Sequence, residues 1–136
     1  MAYEETDVPV ARSQDAIKKL VMGNGGTGVM FWSKPPLEGF EAFVPLDGAP
    51  YHVRIQAEVR AKKGRPSEQE ERRIWRVLYF HMKSVYETAA SGVLEFREMM
   101  LPYIVTTDGR TVGQKILPNL QKSLEAGERL LGDGKK

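Results

Sequence analysis

The sequence contains no cysteine. This absence excludes a disulfide framework, a cysteine-ligated zinc or iron–sulfur site, and a cysteine nucleophile. Long apolar runs are also missing, because no run approaches the ~20 residues that a membrane-spanning helix needs. The first residues are acidic and lack the basic start and apolar stretch of a secretory signal, so we expect a cytoplasmic protein.

A strong charge of one sign is absent as well. The chain has 20 Lys and Arg residues against 18 Asp and Glu residues, a net charge of +2, which is too mild to indicate nucleic-acid binding by itself. What is present fits a folded domain: 136 residues, of which 41% are apolar and 28% are charged. We expect a single domain over residues 1–131 and a disordered tail at 132–136.

The N-terminal part predicts a short helix followed by a glycine-rich turn. Ser13 is a candidate N-cap for a helix over residues 14–22, and Gly23 is a candidate C-terminal stop. Residues 23–28 match the letters of the dinucleotide fingerprint GxGxxG, but that fingerprint needs a strand before it and a helix after it. Here a helix precedes the glycines, so we predict a helix-to-strand turn and no cofactor.

Three strands are predicted to follow this turn. Apolar runs at 28–33 and 40–44 indicate the first two, and Asp47-Gly48 indicates a turn. The third, at 51–60, alternates apolar residues strictly with polar ones, beginning with an apolar-face Tyr51. Such alternation is typical of an antiparallel sheet with one covered face and one open face.

The rest of the chain predicts helices. A capping box at Ser67 and Glu70 opens a long helix that ends before Ser91-Gly92. Shorter helices are predicted at 94–105 and from about Ile116 onward. A run of strands followed by a run of helices favours an α+β fold, in which a small antiparallel sheet of about three strands packs on the long helix and the C-terminal helices complete the core.

Motifs for catalysis or metal binding are not evident. The two histidines, His52 and His81, lie on different elements and have no metal-ligand spacing around them. No nucleophile elbow and no phosphate-binding loop of the Walker type occurs. Nothing in the sequence supports an enzyme, and we expect neither a catalytic residue nor a metal site.

Basic residues are concentrated in the stretch from the third strand to the long helix. This stretch carries a local charge of +4 and holds eight of the twenty basic residues. Such a strand–loop–helix segment is a candidate for tracking a phosphate backbone, although a solvated basic surface is the alternative interpretation. The candidate nucleic-acid-binding residues are Arg54, Arg60, Lys62, Lys63, Arg65, Arg72, Arg73 and Arg76.

The long helix carries an unusually wide apolar surface. One stripe runs through Ile74 and Leu78, and an adjoining aromatic stripe contains Trp75, Tyr79 and Tyr86. The simpler interpretation is that one stripe packs on the sheet and the other on the next helix. The alternative is that Trp75, Tyr79 and Tyr86 form a surface for a protein partner.

Two segments carry a resemblance to a known group of proteins. Residues 8–14, VPVARSQ, and residues 103–113, YIVTTDGRTVG, resemble a family of small uncharacterised proteins of bacteriophages and prophages. The order of a short helix, a small sheet and a long helix rich in Arg and Trp is similar too. The resemblance implies a phage or mobile-element origin, hence the cytoplasm of a host cell, and it carries over no functional residue.

The sequence therefore leads to two hypotheses of function. The first is a non-catalytic phage-type binding protein that contacts nucleic acid or a nucleoprotein complex through the basic segment. The second is an inhibitor that binds a host or anti-phage defence protein through the aromatic helix surface. Neither hypothesis involves a membrane, and the oligomeric state stays open.

Overall fold

The computed structural model describes residues 3, 5–59, 61, 62, 65–120, 122 and 124, with the backbone alone at 61, 62, 65 and 66. The predicted tail at 132–136 and the predicted domain boundary at 131 lie outside the described residues. In chain order the elements are α1 (Val10–Gly23), β1 (Gly28–Lys34), β2 (Leu37–Leu46), β3 (Ala49–Glu58), β4 (Ala61–Lys62), β5 (Arg65–Pro66), α2 (Glu68–Ser91), α3 (Phe96–Met100), a 3-10 helix (Leu101–Tyr103), α4 (Val112–Ile116) and a second 3-10 helix (Leu117–Asn119).

The three longer strands form an antiparallel sheet in the order β1–β2–β3, and the predicted α+β fold is confirmed. Asp47 and Gly48 both have positive φ, of 52° and 83°, as the two-residue turn between β2 and β3 requires. Most strand ends extend further than predicted, because the pairing of β1 with β2 and of β2 with β3 continues up to the turns that join them. Only the end of the third strand is shorter, at Glu58.

Both long helices pack on the same face of the sheet, which we call the core face. Phe40 and Trp75 are fully buried at its centre, where the Trp75 ring lies 5.6 Å from the partly buried Phe31 ring in an edge-on arrangement. The buried core consists of Ile17, Val21, Phe40, Ala42, Val44, Leu46, Val53, Ile55, Val59, Ile74, Trp75, Leu78, Met82, Val85 and Met100. Residues of both stripes of α2 therefore pack in the core or against it, which agrees with the simpler interpretation.

The start of α1 differs from the prediction. The helix begins at Val10 after Pro9, whose φ of −60° suits a helix start, and Ser13 lies inside the first turns. Ser13 is fully buried, and its hydroxyl accepts hydrogen bonds from Arg76 at 3.0 and 3.2 Å. The proposed Ser13 cap is therefore wrong, because a contact with α2 satisfies that hydroxyl instead.

The glycine-rich segment is a helix-to-strand turn, as predicted. The helix includes Gly23, so the left-handed residue is Gly25, with φ of 92°. The amide of Gly26 donates to Val21 O and that of Thr27 donates to Phe43 O. These N–H groups hold the turn to the fold and are not free to bind a phosphate.

The helices after the sheet begin and end close to local signals. Ser67 caps α2 by accepting from the Glu70 amide at 3.1 Å, whereas the Glu70 side chain pairs with Arg73 and does not close the predicted capping box. Gly92 ends α2 with a left-handed φ of 79°. The helix predicted at 94–105 is shorter, because Pro102 lacks an amide hydrogen and the chain tightens into a 3-10 turn.

The segment after that turn adds to the outer side of β3. The amide of Val105 donates to His52 O at 2.8 Å, and Ile104 bridges Val53. The chain then reverses through Asp108-Gly109, with Gly109 at φ of 86°. A capping box formed by Thr111 and Gln114 opens α4. The loop 106–110 thus lies beside the sheet.

Candidate nucleic-acid interface

The face of the sheet opposite the helices, which we call the open face, carries the polar half of the alternating pattern. Its cross-strand rows follow from the register. One row joins Gly28, Phe43 and His52, the next Met30, Glu41 and Arg54, and the third Trp32, Gly39 and Gln56. The strands are rigid elements, so these side chains occupy fixed positions on one surface.

Glu41 is the polar centre of the open face. One of its carboxylate oxygens lies 2.5 Å from His52 Nε2, and the other lies 3.5 Å from Arg54 Nε. Arg54 also donates from a terminal nitrogen to the carbonyl oxygen of Gly109 at 2.8 Å. These two contacts hold the guanidinium between Glu41 and the 106–110 loop. Nε and one terminal nitrogen of Arg54 therefore have partners, and the side chain keeps 20% of its surface exposed.

Apolar side chains flank this polar centre and are exposed to solvent. Phe43 keeps 48% of its surface exposed, and its ring lies 5.3 Å from the His52 ring at an interplanar angle of 30°. Met30 keeps 57% exposed. Together with Gly28 and Glu41 these residues line a shallow cavity of about 400 Å³. An aromatic platform beside a cation and a concave apolar floor can accept a flat ring by stacking.

Trp32 and Gly39 occupy the third row of the open face. The indole nitrogen of Trp32 is buried and has no hydrogen-bond partner among the residues that the structure describes. Across from it, a Cβ at Gly39 would come within 2.8 Å of the Gln56 backbone and closer still to Ile55 O. Gly39 therefore lets β2 and β3 approach closely at the row that carries Trp32.

The 106–110 loop presents further charges beside Arg54. The Asp108 carboxylate accepts from the Thr106 hydroxyl at 2.7 Å and from the Arg110 amide at 3.0 Å, and it pairs with the Arg110 guanidinium and with Lys115. These hydrogen bonds hold the pKa of Asp108 well below its ordinary range. The loop therefore keeps its charges ordered next to the open face.

The structure separates the predicted basic residues into groups. Arg54 lies on the open face, whereas Arg72, Arg73 and Arg76 lie on α2, which packs on the core face. Arg60 and Lys63 lie outside the described residues, and the side chains of Lys62 and Arg65 are not among those described. The described arginines thus do not converge on one surface.

The three arginines of α2 also have partners within the protein. Arg72 pairs with Glu68 at 3.1 Å, and Arg73 pairs with Glu70. Arg76 donates to Ser13, and its guanidinium lies 4.8 Å from the centre of the Tyr79 ring. These contacts hold the helix to its surroundings, and only part of each guanidinium faces solvent.

The aromatic residues of α2 are largely covered. Trp75 is fully buried and donates its indole N–H to Glu38 at 2.8 Å. Tyr86 stacks on Phe96 of α3 with ring centres 4.9 Å apart, and burial raises the pKa of its hydroxyl to about 12. Tyr79 is partly buried between Arg76 and Phe80.

A pair of carboxyl groups, which the sequence analysis missed, lies at the edge of the core face. Glu38 is only 3% exposed, and its Oε2 has no hydrogen-bond partner within the described part of the chain. The carboxyl group of Glu71, on α2, lies near that of Glu38. Burial, and then the charge of Glu38, raise the pKa of Glu71. The signal available in the sequence was the parity of Glu38 with Phe40 and Ala42.

A metal centre has no basis in the described residues, where no group of three or more His, Asp or Glu side chains is placed to hold an ion. His81 lies on α2 with its ring 6.0 Å from that of Tyr103, far along the sequence from His52. Of the helices whose residues the structure describes, none is long and apolar enough to cross a membrane.

Comparison with known proteins finds no family model, no curated protein and no solved structure that matches this chain. The resemblance to phage and prophage proteins stays a prediction. The case for a function therefore depends on the geometry of the open face.

Proposed function

We propose that the protein binds single-stranded nucleic acid through the open face of its sheet. The observation that carries this proposal is the exposed Phe43 ring, which lies against His52 and next to the row of Met30 and Arg54. A base stacks on such a ring whatever its identity, because every base has an aromatic face.

Electrostatic support comes from the groups around this platform. Arg54 faces the same surface, Arg110 lies on the 106–110 loop and Lys115 lies on α4. Two carboxylates, Glu41 and Asp108, pair with these three cations, so the positive charges exceed the negative ones by one. Lys62 and Lys63 belong to the basic segment that joins β3 to α2 in the sequence. Phosphate contacts of this kind position a strand without reading its bases.

A single strand fits this face better than a duplex. The open face offers a stacking ring and a shallow concavity, and a base reaches them only when it is unpaired. We expect binding that tolerates many sequences and weakens as salt rises, by about 0.7 in log affinity per log salt for each phosphate contact.

Fluorescence anisotropy with labelled oligonucleotides tests the proposal. Phe43→Ala should weaken binding of a short homopolymeric single strand by about 5- to 150-fold, which corresponds to the ~1–3 kcal/mol that stacking on one ring contributes. Tyr51→Ala is the matched control. Tyr51 is similarly exposed, at 42%, but it lies beside Leu101 and Ile104 on the other side of β3. The proposal is wrong if no single strand binds at low salt, or if the two substitutions weaken binding equally.

The basic segment has its own test in the same assay. Reversing the charge of Lys62 and Lys63 together should lower the salt dependence by about 1.4 for a single strand, because two phosphate contacts are lost. The preference among bases should not change, since phosphate contacts carry no sequence information. An unchanged salt dependence would confine the interface to the sheet.

The second hypothesis, an inhibitor of a host or defence protein, has less support. Its surface was Trp75, Tyr79 and Tyr86, and Trp75 is fully buried while the other two are partly covered. A pull-down from host lysate with and without nuclease separates the two functions. Capture of a protein that persists after nuclease treatment would favour the inhibitor, and capture that disappears would favour nucleic-acid binding.

A further inference from the structure

β1 is an edge strand whose outer side has no described partner. It pairs with β2 along residues 28–34, and none of the isolated bridges between described residues, Val53 with Ile104 and Val105 with Thr111, involves β1. The outer N–H and C=O groups of β1 therefore present a template for a further strand. The other edge differs, because the 104–105 segment bonds to β3 there.

The sequence of β1 lacks the features that usually protect an edge. Residues 28–33 include no charged residue and no proline, and the first charge is Lys34 at the end of the strand. Natural sheets commonly place lysine, proline or a bulge within exposed edges so that they do not pair with other chains. β1 has seven residues in continuous register with β2, without a bulge.

The core is also incomplete at this edge. Val29 and Phe31 point to the core face but are only partly buried, whereas their row partners on β2, Ala42 and Phe40, are 2% and 0% exposed. On the open face Met30 is 57% exposed. Apolar surface thus continues past the last strand on both sides of the sheet.

We propose that β1 pairs with β1 of a second copy of this chain, so that two three-stranded sheets join into one six-stranded antiparallel sheet. A second copy fits because two edges of this kind are self-complementary: each offers alternating donors and acceptors, and residues 28–33 bring no charge to repel their counterparts. An antiparallel two-fold arrangement places Lys34 opposite the Gly28 end of the other copy, so like charges do not meet. In the same arrangement Phe31 faces Phe31 of the other copy, and Val29 faces Ser33 of the other copy.

Sedimentation equilibrium tests the proposal over the low to high micromolar range. The wild-type mass should rise with concentration from 15.3 kDa toward twice that value. Met30→Lys places a charge of each copy close to the two-fold axis, and we expect it to weaken the dimer about tenfold or more. Met22→Lys is the matched control, because Met22 is 45% exposed and belongs to α1, not to the edge strand. It should leave the dimer unchanged.

Hydrogen exchange of the β1 amides gives a second, independent readout. In the wild-type protein the protection of alternate β1 amides should increase with concentration, and in Met30→Lys it should not. A wild-type mass of 15.3 kDa at all concentrations would overturn the proposal. Equal weakening by Met22→Lys and Met30→Lys, or association without any change in β1 protection, would overturn it as well.

Discussion

The two faces of the sheet are formed by the same strands, yet they differ in how deeply they bury an aromatic side chain. On the core face Phe40 is fully buried among Phe31, Trp75 and Ile55. Three residues further along β2, Phe43 is 48% exposed on the open face. An aromatic residue on the core face is explained by burial, whereas one on the open face gains little stability there. Burial in the core thus explains Phe40 but not Phe43, and a function at the open face is the reason that we propose for Phe43.

Replacing these two phenylalanines by alanine gives the largest expected contrast. Phe40→Ala should lower the free energy of unfolding by about 3–5 kcal/mol, because it removes a fully buried ring and leaves a cavity. Phe43→Ala should change it by less than about 1 kcal/mol, because its ring is already half in water. Urea denaturation of the two variants measures both values. A large loss for Phe43→Ala would mean that the open face is covered in the folded protein.

Gly39 provides the next test, because it is buried on the face that is otherwise open. A methyl group at this position would press on the backbone of Ile55 and Gln56, which cannot withdraw without separating β2 from β3. We expect Gly39→Ala to cost about 1–3 kcal/mol in thermal or urea unfolding.

Gly23→Ala is the matched control for Gly39→Ala. Gly23 is the last residue of α1, and a methyl group there would meet no atom within 4 Å. Alanine favours a helix over glycine, so this variant should be neutral or slightly more stable. Equal destabilisation by the two substitutions would contradict the close approach of β2 and β3.

The comparison of faces also shows how far the sequence could be interpreted. Strict alternation from Val53 to Val59 correctly predicted one covered and one open face, because period-two burial leaves a direct trace in the residue order. Tyr51 has the parity of the core face but is exposed, since it lies next to the hairpin and lines a cavity with Leu101 and Ile104. Local alternation cannot show where a covering helix stops.

The candidate site was less predictable than the fold. The basic residues formed a single stretch in the sequence, but a helix that packs on the opposite face from Arg54 separates Arg72 and Arg76 from it. The cluster of Glu41, His52 and Arg54 depends on the register between β2 and β3. Register follows from turn geometry and packing together, so pairs of this kind are not visible in one strand alone.

The Glu38–Glu71 pair tests the core face with polar groups, because it places two carboxyl groups at the margin of that face. The folded protein raises the pKa of Glu71, so it binds more protons than the unfolded chain above the ordinary glutamate pKa of ~4.3. The stabilisation from this proton is complete below that value and is lost as pH rises through the raised pKa. The free energy of unfolding should therefore decline over this interval.

Glu71→Gln should remove most of this decline, because an amide has no proton that titrates in this range. Glu87→Gln is the control, since Glu87 is 67% exposed and pairs only loosely with Lys83, at 3.8 Å. Urea denaturation at a series of pH values compares the three proteins. A wild-type decline that persists unchanged in Glu71→Gln would assign it to other groups.

The smallest expected effect belongs to the loop beside the open face. Hydrogen bonds from Thr106 and Arg110 hold the pKa of Asp108 below its ordinary range, so the folded protein favours the ionised form. This stabilisation is present above the ordinary aspartate pKa and is lost as pH falls toward the lowered value. Asp108→Asn should therefore be less stable than wild type at neutral pH, and the difference should shrink as the solution is acidified. Asp15→Asn, which alters a 60% exposed carboxylate on α1, serves as the control. A difference between Asp108→Asn and wild type that stays constant down to acid pH would show that the loop is held by shape and not by the charge of Asp108.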